Sequence, residues 1–324
     1  MNPNQSTIGV LTSGGDAPGM NAAIRAVVRA GIAHGYSVVG FVRGYKGLIE
    51  DNYIEMNSRT VSDIIHRGGT FLYTARCKEM MTEEGRARAA EVCRKHNLAA
   101  LVCIGGDGTF RGAHELSKLG VNVMCLPATI DNDIGASDYA LGFDTTINTV
   151  TEMVDKIRDT SQSHDRCTVV EVMGRSCGFV ALHAGLAVGA TAILIPEIPY
   201  DFRRDVIDRI NTTTRTGKKH FIILVAEGVG GSAQLAKKIE AETGIETKVS
   251  ILGYVQRGGS PTSRDRTSAS RMGYRAIELT AAGAKNRMIV TKEGKIKDIN
   301  LIDGIGLPKK INEKLYQIAM EVNS

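Results

Sequence analysis

Residues 101–109 read Leu-Val-Cys-Ile-Gly-Gly-Asp-Gly-Thr, so that four apolar residues run directly into a glycine cluster that holds one carboxylate. A short, continuously apolar run is typical of a strand that is covered on both faces of a parallel sheet. Glycines directly after such a strand favour a tight turn into a helix. The stretch therefore predicts one strand–loop–helix unit of an α/β fold.

The same rhythm recurs along the chain, because short β-branched runs alternate with longer stretches of helical period. The predicted strands are residues 8–11, 38–42, 101–104, 121–126, 169–172, 192–195, 221–225 and 249–252. A length of 324 residues is about twice a typical ~150-residue domain, which predicts two lobes. We place the crossings near Gly142 and at Gly258-Gly259, giving lobes of residues 1–141 plus 257–303 and 142–256 plus 304–324.

Composition excludes several classes of protein. There are 40 Lys+Arg against 35 Asp+Glu, a net charge of +5, and no run of five like charges, which argues against a nucleic-acid-binding arm. No apolar stretch is long enough to span a membrane. The six cysteines form no CxxC pair or zinc-type cluster, and residues 1–5 lack a signal-peptide pattern, so we expect reduced thiols and a cytoplasmic protein.

Glycine is over-represented, at 36 of 324 residues, and many glycines follow predicted strands. One example is Thr12 to Gly19, which precedes a predicted helix over residues 20–33. Its backbone N–H groups and the helix N-terminus are suited to an anion, which favours a phosphate-binding loop. A plain strand-to-helix turn explains this loop equally well when it is considered alone. No Walker-type sequence occurs.

Two carboxylate motifs follow other predicted strands. Asp107, between glycines, is the candidate ligand for Mg²⁺, because Mg²⁺ takes one or two carboxylates together with phosphate oxygens and water. Asp131 and Asp133 lie two residues apart and point to one side of an extended loop. Such a pair can divide proton abstraction from organisation of the site, although by itself it is more often a solvated loop.

Arginines occur at or near several of these turns. Arg175 and Arg257 belong to glycine-containing turns, where a guanidinium can bind phosphate in bidentate fashion. Together with Arg76 and Arg166 they predict more than one phosphate-bearing ligand.

Taken in order, these motifs resemble the bacterial ATP-dependent 6-phosphofructokinases over nearly the whole chain, from Ile8 to about Ala282. The resemblance implies homotetramers of two-lobed α/β subunits, each lobe a mostly parallel sheet covered by helices. It also implies transfer of the γ-phosphoryl of ATP, with Mg²⁺, to the 1-hydroxyl of fructose 6-phosphate. Residues 1–141 plus 257–303 would then bind ATP, and the remainder would bind the sugar phosphate.

The resemblance also implies residue roles. Thr129, Asp131 and Arg175 match catalytic positions, with Asp131 as the base for the 1-hydroxyl and Asp107 on the metal. The positions that match ATP contacts are Gly15, Arg76, Cys77, Gly106, Asp107, Gly108 and Thr109. The positions that match sugar-phosphate contacts are Thr129, Ile130, Asp131, Arg166, Met173, Gly174, Arg175, Glu227, Lys248, Tyr254 and Arg257, with Arg166 and Lys248 reaching across a subunit interface.

Small residues at two positions indicate which phosphoryl donor the protein uses. Pyrophosphate-dependent relatives typically have Asp and Lys where this chain has Gly108 and Ala128, so we expect ATP to be the donor. Lys248 replaces an arginine of the family pattern, and Tyr254 replaces a histidine. Because lysine lacks the bidentate fork, we expect weaker binding of fructose 6-phosphate.

An effector site for ADP or phosphoenolpyruvate is also implied, with departures. Thr191 replaces a metal-linked glutamate and Ser58 an arginine, so we expect blunted activation by ADP. The positions concerned are Arg25, Arg29, Ser58, Arg59, Asp63, Arg158, Thr191 and Lys218. Two alternatives remain open: the same fold using pyrophosphate or another sugar phosphate, and a catalytically silent regulatory paralogue.

Overall fold

A computed structural model describes residues 6–323 of the chain. Residues 1–5, on which the prediction about a targeting signal rests, lie outside the described part. The strands are β1 (Thr7–Ser13), β2 (Ser37–Phe41), β3 (Tyr53–Met56), β4 (Leu98–Gly105), β5 (Val123–Pro127), β6 (Cys167–Val172), β7 (Ala192–Leu194), β8 (Phe221–Ala226), β9 (Thr247–Ile251), β10 (Arg287–Lys292) and β11 (Lys295–Asn300). The helices are α1 (Met20–Ala33), α2 (Tyr45–Ile49), α3 (Glu83–Lys95), α4 (Asp107–Lys118), α5 (Phe143–Ser163), α6 (Phe179–Ala187), α7 (Asp208–Arg215), α8 (Ser232–Thr243), α9 (Ser263–Ala281), α10 (Leu301–Gly304) and α11 (Glu313–Val322).

The chain divides into two units. The first takes the chain up to Ile130, Ile134–Thr145 and Arg257–Lys309, and the second takes Asp131–Asp133, Thr146–Gln256 and the chain from Lys310. The lobes predicted from sequence differ in three places: the first crossing falls after Thr145 instead of residue 141, the last after Lys309 instead of residue 303, and Asp131–Asp133 belong to the second unit.

The first unit is built on a sheet of order β11-β10-β5-β4-β1-β2-β3. Pairing is parallel from β10 through β5, β4 and β1 to β2, and antiparallel only where β11 and β3 join the two edges. The central strands are buried along their length, as their apolar sequences require. Helices α1 and α9 pack together in this unit. The α/β prediction is therefore confirmed.

The second unit contains a wholly parallel sheet of order β7-β8-β6-β9. Strands β6 and β8 are apolar and buried, with their core completed by residues of α7 and α8. Strand β9 forms one edge of the sheet, and most of its side chains are exposed or half-buried.

The eight predicted strands correspond to β1, β2 and β4–β9, with ends shifted by up to three residues. Three further strands escaped prediction: β3, β10 and β11. No helix within residues 6–323 is both long enough and apolar enough to cross a membrane.

Candidate active site

The loops after β1, β4 and β5 meet at one edge of the first sheet, because these three parallel strands are neighbours. The chain continues from β1 to β2 on one side and returns to β4 on the other. Ligands of open α/β sheets bind outside the carboxyl ends of the strands at such a reversal of strand order. Most of the predicted ATP-binding positions lie in these loops.

The loop after β1 is shaped by glycines and by Arg257. Gly14 adopts a φ of 86°, a conformation that side chains rarely take. A Cβ at Gly15 would collide with the guanidinium of Arg257, which therefore lies directly against this loop. Arg257 also donates from an Nη atom to the carbonyl of Asp16 at 3.5 Å. The predicted sugar-phosphate contact Arg257 thus belongs to the same unit as the nucleotide loop.

The loop after β4 places a carboxylate at a helix N-terminus. Gly106 caps α4, and Asp107 is its first residue, where the helix dipole favours negative charge. The Thr109 hydroxyl donates to the carbonyl of Ser13 at 3.0 Å, which joins this loop to the one after β1. A Cβ at Gly108 would meet no atom within 4 Å. The loop therefore has open space directly above its second helical residue.

Asp107 is held by two donors of its own unit. Its Oδ2 accepts from Nε of Arg111 at 2.6 Å, and its Oδ1 accepts from the backbone N–H of Gly306 at 3.0 Å. Within residues 6–323 no cluster of three or more metal-ligating side chains surrounds it. A half-exposed single carboxylate fits Mg²⁺ that arrives with phosphate oxygens and water, rather than a metal held in a cage of protein ligands.

Ala128 to Ile130 follow β5 and are fixed by residues 139–142. The Thr129 N–H donates to the Leu141 carbonyl at 3.0 Å, and the Leu141 N–H donates to the Pro127 carbonyl at 2.9 Å. Ala128 and Ile130 are buried, and Thr129 is half-buried.

The buried carboxylate of Asp265 organises that supporting segment. It accepts from the Gly142 N–H at 2.8 Å, from both the N–H and the hydroxyl of Thr145, and from the hydroxyl of Tyr139. Burial raises the pKa of Asp265 even though all four of these donors favour the ionised form. The hydrogen-bonded carboxylate of Asp265 thus holds residues 139–145, which in turn support the loop that leads to Asp131.

The segment before Arg76 and Cys77 is hydrogen-bonded to β1 and to the loop that follows it. The Thr12 hydroxyl donates to the Tyr73 carbonyl at 2.9 Å, and the Thr74 hydroxyl donates to the Gly14 carbonyl at 2.7 Å. Arg76 is exposed, whereas Cys77 is half-buried and packs on the apolar core.

In the second unit, the loops after β6 and β8 form another polar edge. Glu227 follows β8, and its Oε1 accepts from the backbone N–H groups of Gly174 at 3.1 Å and Arg175 at 2.5 Å. Met173 is held by its N–H, which donates to the Gln256 side chain at 3.1 Å. Gly174 and Arg175 have φ values of 144° and 56°, so this turn adopts a conformation that is uncommon for L residues. Glu227 therefore fixes the loop backbone.

The guanidinium of Arg175 faces two carboxylates. Its Nε lies 3.8 Å from Oδ2 of Asp131, and an Nη atom lies 3.9 Å from Oδ2 of Asp133. Asp131 is only 3% exposed, whereas the Arg175 side chain is 70% exposed. The structure thus brings the predicted base and the predicted catalytic arginine together within one unit.

Arg166 and Lys248 lie at the opposite edge of this sheet. Arg166 directly precedes β6, and Lys248 is the second residue of β9. Because β6 has six residues and a strand rises about 3.3 Å per residue, the backbone of Arg166 lies about 20 Å from the start of the loop that holds Arg175, and Lys248 pairs with Thr168 near the same end of β6. Tyr254 follows the other end of β9 and is 83% exposed. A single chain therefore does not bring all the predicted sugar-phosphate contacts together.

The predicted effector positions form separate groups. Burial and the neighbouring Arg29 lower the pKa of Arg25 on α1. In the second unit, burial and the neighbouring Arg158 lower the pKa of Lys218. Thr191 is buried, at 1% exposure. The remaining predicted positions are exposed and follow β3: Ser58, Arg59 and Asp63.

Sequence interpretation missed three side chains at these places. Burial, then Lys218 and Arg158, lower the pKa of His220, so a neutral imidazole lies beside two cationic side chains there. Arg111 lies four residues after Asp107 on α4, a spacing that could have indicated its ion pair. Glu246 bridges Arg166 and Lys248, and its position two residues before Lys248 on an extended strand was the available signal.

These loops define an α/β protein with glycine-rich loops at the carboxyl ends of its strands and a carboxylate–arginine pair, an arrangement suited to group transfer. Comparison with known proteins extends this assignment, since the sequence pattern of the Phosphofructokinase family matches residues 7–280. The chain therefore belongs to the phosphofructokinase family.

Relatives match almost end to end. The ATP-dependent 6-phosphofructokinase of Clostridium acetobutylicum is 55% identical over 313 residues, 97% of this chain and 98% of that protein. The ATP-dependent 6-phosphofructokinase 1 of Clostridium perfringens is 52% identical over 316 residues, 98% of this chain and 99% of that protein.

Solved structures agree on the fold. Phosphofructokinase from Saccharomyces cerevisiae superposes with a TM-score of 0.89 at 35% identity over 98% of this chain, which spans 47% of the yeast chain. A pyrophosphate-dependent phosphofructokinase from Marinobacter aquaeolei superposes with a TM-score of 0.86 at 21% identity, over 97% of this chain and 91% of that one. This similarity shows the fold alone.

Proposed function

We propose that this protein transfers the γ-phosphoryl of ATP to the 1-hydroxyl of fructose 6-phosphate, giving fructose 1,6-bisphosphate and ADP. The observation that carries the proposal is the 55% identity, over 97% of the chain, to a relative named ATP-dependent 6-phosphofructokinase. The cytoplasm, predicted from the sequence, is the compartment we assign to this reaction.

The proposed mechanism uses each edge for one reactant. The loops at Gly15 and at Gly106–Thr109 bind the phosphates of ATP through backbone N–H groups and the N-terminus of α4. Asp131 accepts the proton of the 1-hydroxyl as that oxygen attacks the γ-phosphorus, and the bond to the β,γ-bridging oxygen breaks. Arg175, 3.8 Å from Asp131, stabilises charge on the transferred group. Thr129 and Ile130 position the sugar.

Magnesium would be held by Asp107 together with phosphate oxygens, and when bound it supplies neutralisation of the charge on the phosphates. For Asp107 to bind the metal, its contact with Arg111 must loosen, because that guanidinium occupies one carboxylate oxygen. Arg111 then remains near the phosphates as a positive group.

ATP as the donor is supported by the space at two positions. A Cβ at Gly108 would meet open space, which leaves room for a nucleotide over α4. At position 128 this chain has the small side chain of Ala128 in place of the lysine that is typical of pyrophosphate-dependent relatives.

Assembly into homotetramers is supported by the second sheet. Arg166 and Lys248 lie at the other end of the strands from the loop that holds Arg175, so a second copy would have to bring its own pair of cations to a sugar phosphate held there. The edge strand β9 and the turn after it expose Ile251, Tyr254 and Val255, at 65%, 83% and 53%, which suits an interface between subunits.

Regulation is the weakest-matched part of the resemblance. The proximity of Arg158 and Lys218, two cationic side chains, supports binding of an anionic effector such as ADP or phosphoenolpyruvate. Because Thr191 offers no carboxylate for a metal, we propose that ADP activates poorly.

Initial rates of the purified enzyme test these points together. ADP release with ATP and fructose 6-phosphate is the expected result, and no turnover under any condition would favour a silent paralogue. Rates supported by pyrophosphate, or faster with another sugar phosphate, would overturn the substrate assignment. Repeating the assay with ADP and phosphoenolpyruvate tests regulation, and strong relief of a sigmoidal response by ADP would contradict blunted activation.

A further inference from the structure

A carboxylate already occupies the two cations that we assign to the sugar phosphate. Oε2 of Glu246 accepts from Nε of Arg166 at 2.6 Å, and Oε1 accepts from Nζ of Lys248 at 2.7 Å. Both oxygens of one side chain are thus engaged, each by a different cation. The arrangement resembles the way a phosphate would be held between them.

The sheet places these three side chains together. Glu246 and Arg166 directly precede β9 and β6, and the Cys167 N–H donates to the Glu246 carbonyl at 3.0 Å. Thr168 pairs with Lys248 in the same parallel ladder. The ladder continues from Cys167 to Glu171, so the Glu246 side chain is not needed to join the strands. Its contacts with the cations therefore call for another explanation.

Charge and exposure make the contacts exchangeable. Hydrogen bonds from Lys248 and Arg166 lower the pKa of Glu246 to about 2, so it is ionised at neutral pH. The side chains of Glu246 and Lys248 are 44% and 58% exposed, and that of Arg166 is 28% exposed. A solvent-accessible anion can be displaced without unpacking the core. With the two cations, it leaves the cluster a net charge of +1.

We propose that Glu246 is the internal counter-anion of the sugar-phosphate site, which holds Arg166 and Lys248 until the phosphate of the substrate displaces it. This inference rests on the proposed function, because it takes Arg166 and Lys248 as phosphate contacts. Glu246 is a positioning residue that lowers the affinity of the site for every anion, because each anion must displace the same carboxylate. A phosphate monoester carries a charge of about −1.5 to −2 at pH 7, more than the single charge it must replace.

Removal of the charge should therefore tighten binding. Because exposed ion pairs are each worth little, the Glu246→Gln variant should lower KM for fructose 6-phosphate about threefold to tenfold. Turnover should stay unchanged, since the carboxylate lies at the opposite edge of the sheet from Asp131 and Arg175. Inorganic sulfate should compete for the same two cations, and its inhibition constant should fall by a similar factor in this variant.

The test compares four full-length proteins: wild type, Glu246→Gln, Glu246→Asp and the matched control Glu242→Gln. Glu242 lies on α8 and pairs with Arg203 instead, so its substitution makes the same change in net charge outside the site. KM, kcat and the inhibition constant of sulfate are measured for each, with thermal unfolding and size-exclusion chromatography to verify fold and assembly. Glu246→Asp retains the charge on a shorter arm and should fall between wild type and Glu246→Gln.

A lower KM and stronger sulfate inhibition in Glu246→Gln alone would support the proposal. An unchanged or raised KM in a folded, normally assembled Glu246→Gln enzyme would overturn it, as would equal effects of Glu242→Gln. If the wild type fails to phosphorylate fructose 6-phosphate, the proposed function fails separately. Titration calorimetry with inorganic phosphate then decides the point, because Glu246→Gln must bind phosphate more tightly than wild type does.

Discussion

The two units present proposed phosphate-binding groups of different kinds. In the first, the groups are mostly backbone: the glycine loops after β1 and β4 and the N-terminus of α4. In the second, they are side chains, with Arg175 at one edge of the sheet and Arg166 and Lys248 at the other. A backbone loop is fixed by the fold, whereas a guanidinium must be held by other side chains. Substitutions should therefore act differently in the two units.

The largest effect is expected at Asp131. Asp131→Asn should lower kcat by about 10²- to 10⁴-fold, because an amide cannot accept the proton of the hydroxyl. KM for fructose 6-phosphate should change much less. Asp133→Asn is the matched control, since Asp133 faces the same arginine at 3.9 Å without being the proposed base. Equal losses of kcat in the two variants would remove the basis for choosing Asp131.

In the first unit, the addition of a single methyl group to a glycine loop should reduce both stability and the binding of ATP. A Cβ at Gly105 would collide with the Ser13 carbonyl and the Thr109 side chain, so Gly105→Ala should destabilise the fold by about 1–3 kcal/mol and raise KM for ATP about tenfold. Urea denaturation and initial rates measure the two effects.

Gly108→Ala distinguishes an effect on the stability of the fold from an effect on the binding of ATP. A Cβ at Gly108 meets no protein atom, so stability should be kept or raised by about 0.5–1 kcal/mol. If the nucleotide lies over α4, KM for ATP should nevertheless rise. An unchanged KM would indicate that ATP does not approach this residue.

In the second unit, the hydrogen bonds that hold the loop of Arg175 should affect the binding of fructose 6-phosphate more than local packing does. Glu227→Gln removes the charge that accepts from the N–H groups of Gly174 and Arg175, hydrogen bonds worth about 1.5–3 kcal/mol when one partner is charged. KM for fructose 6-phosphate should rise about tenfold with KM for ATP unchanged. A rise in both constants would contradict the division between the units.

Lys248→Arg should have a smaller effect of the opposite sign. Restoring the planar fork should lower KM for fructose 6-phosphate about twofold to fivefold. An unchanged KM would show that lysine at this position does not weaken binding of fructose 6-phosphate, and would contradict the weaker binding expected from the sequence.

The smallest effect is a pH dependence remote from both edges. Burial alone would raise the pKa of Asp298, but hydrogen bonds from Arg275 and Arg287 outweigh it, and the pKa lies below its ordinary value. This carboxylate thus contributes stability that is present above the unfolded pKa near 3.8 and is lost as pH falls through the lower folded value. Asp298→Asn should cost about 1 kcal/mol at pH 7 and less in acid, with both KM values unchanged.

Much of the fold was predictable because its central strands are apolar on both faces. The strands β3 and β11 were missed because these edge strands lack a continuous apolar run: Glu55 interrupts β3, and only Ile296 and Ile299 of β11 are apolar. β10 escaped because charged residues bracket its short apolar centre.

The candidate site divides in the same way. Loops that follow strands could be found by sequence spacing, and Asp131 and Arg175 meet within one unit. The contact of Glu246 with Arg166 and the contacts of Asp265 could not be found in this way, because they join segments that are 80 and more than 100 residues apart. Register and burial, rather than residue type, give these carboxylates their partners.

The placement of Arg166 and Arg175 at opposite ends of β6 has a genetic consequence. If a complete site draws one edge from each of two subunits, an active centre belongs to a pair of chains. A chain damaged at Arg175 and another damaged at Arg166 would each be inactive alone. Co-expressed, they would form mixed assemblies in which some sites receive both intact edges, so two defective alleles of one gene would complement each other.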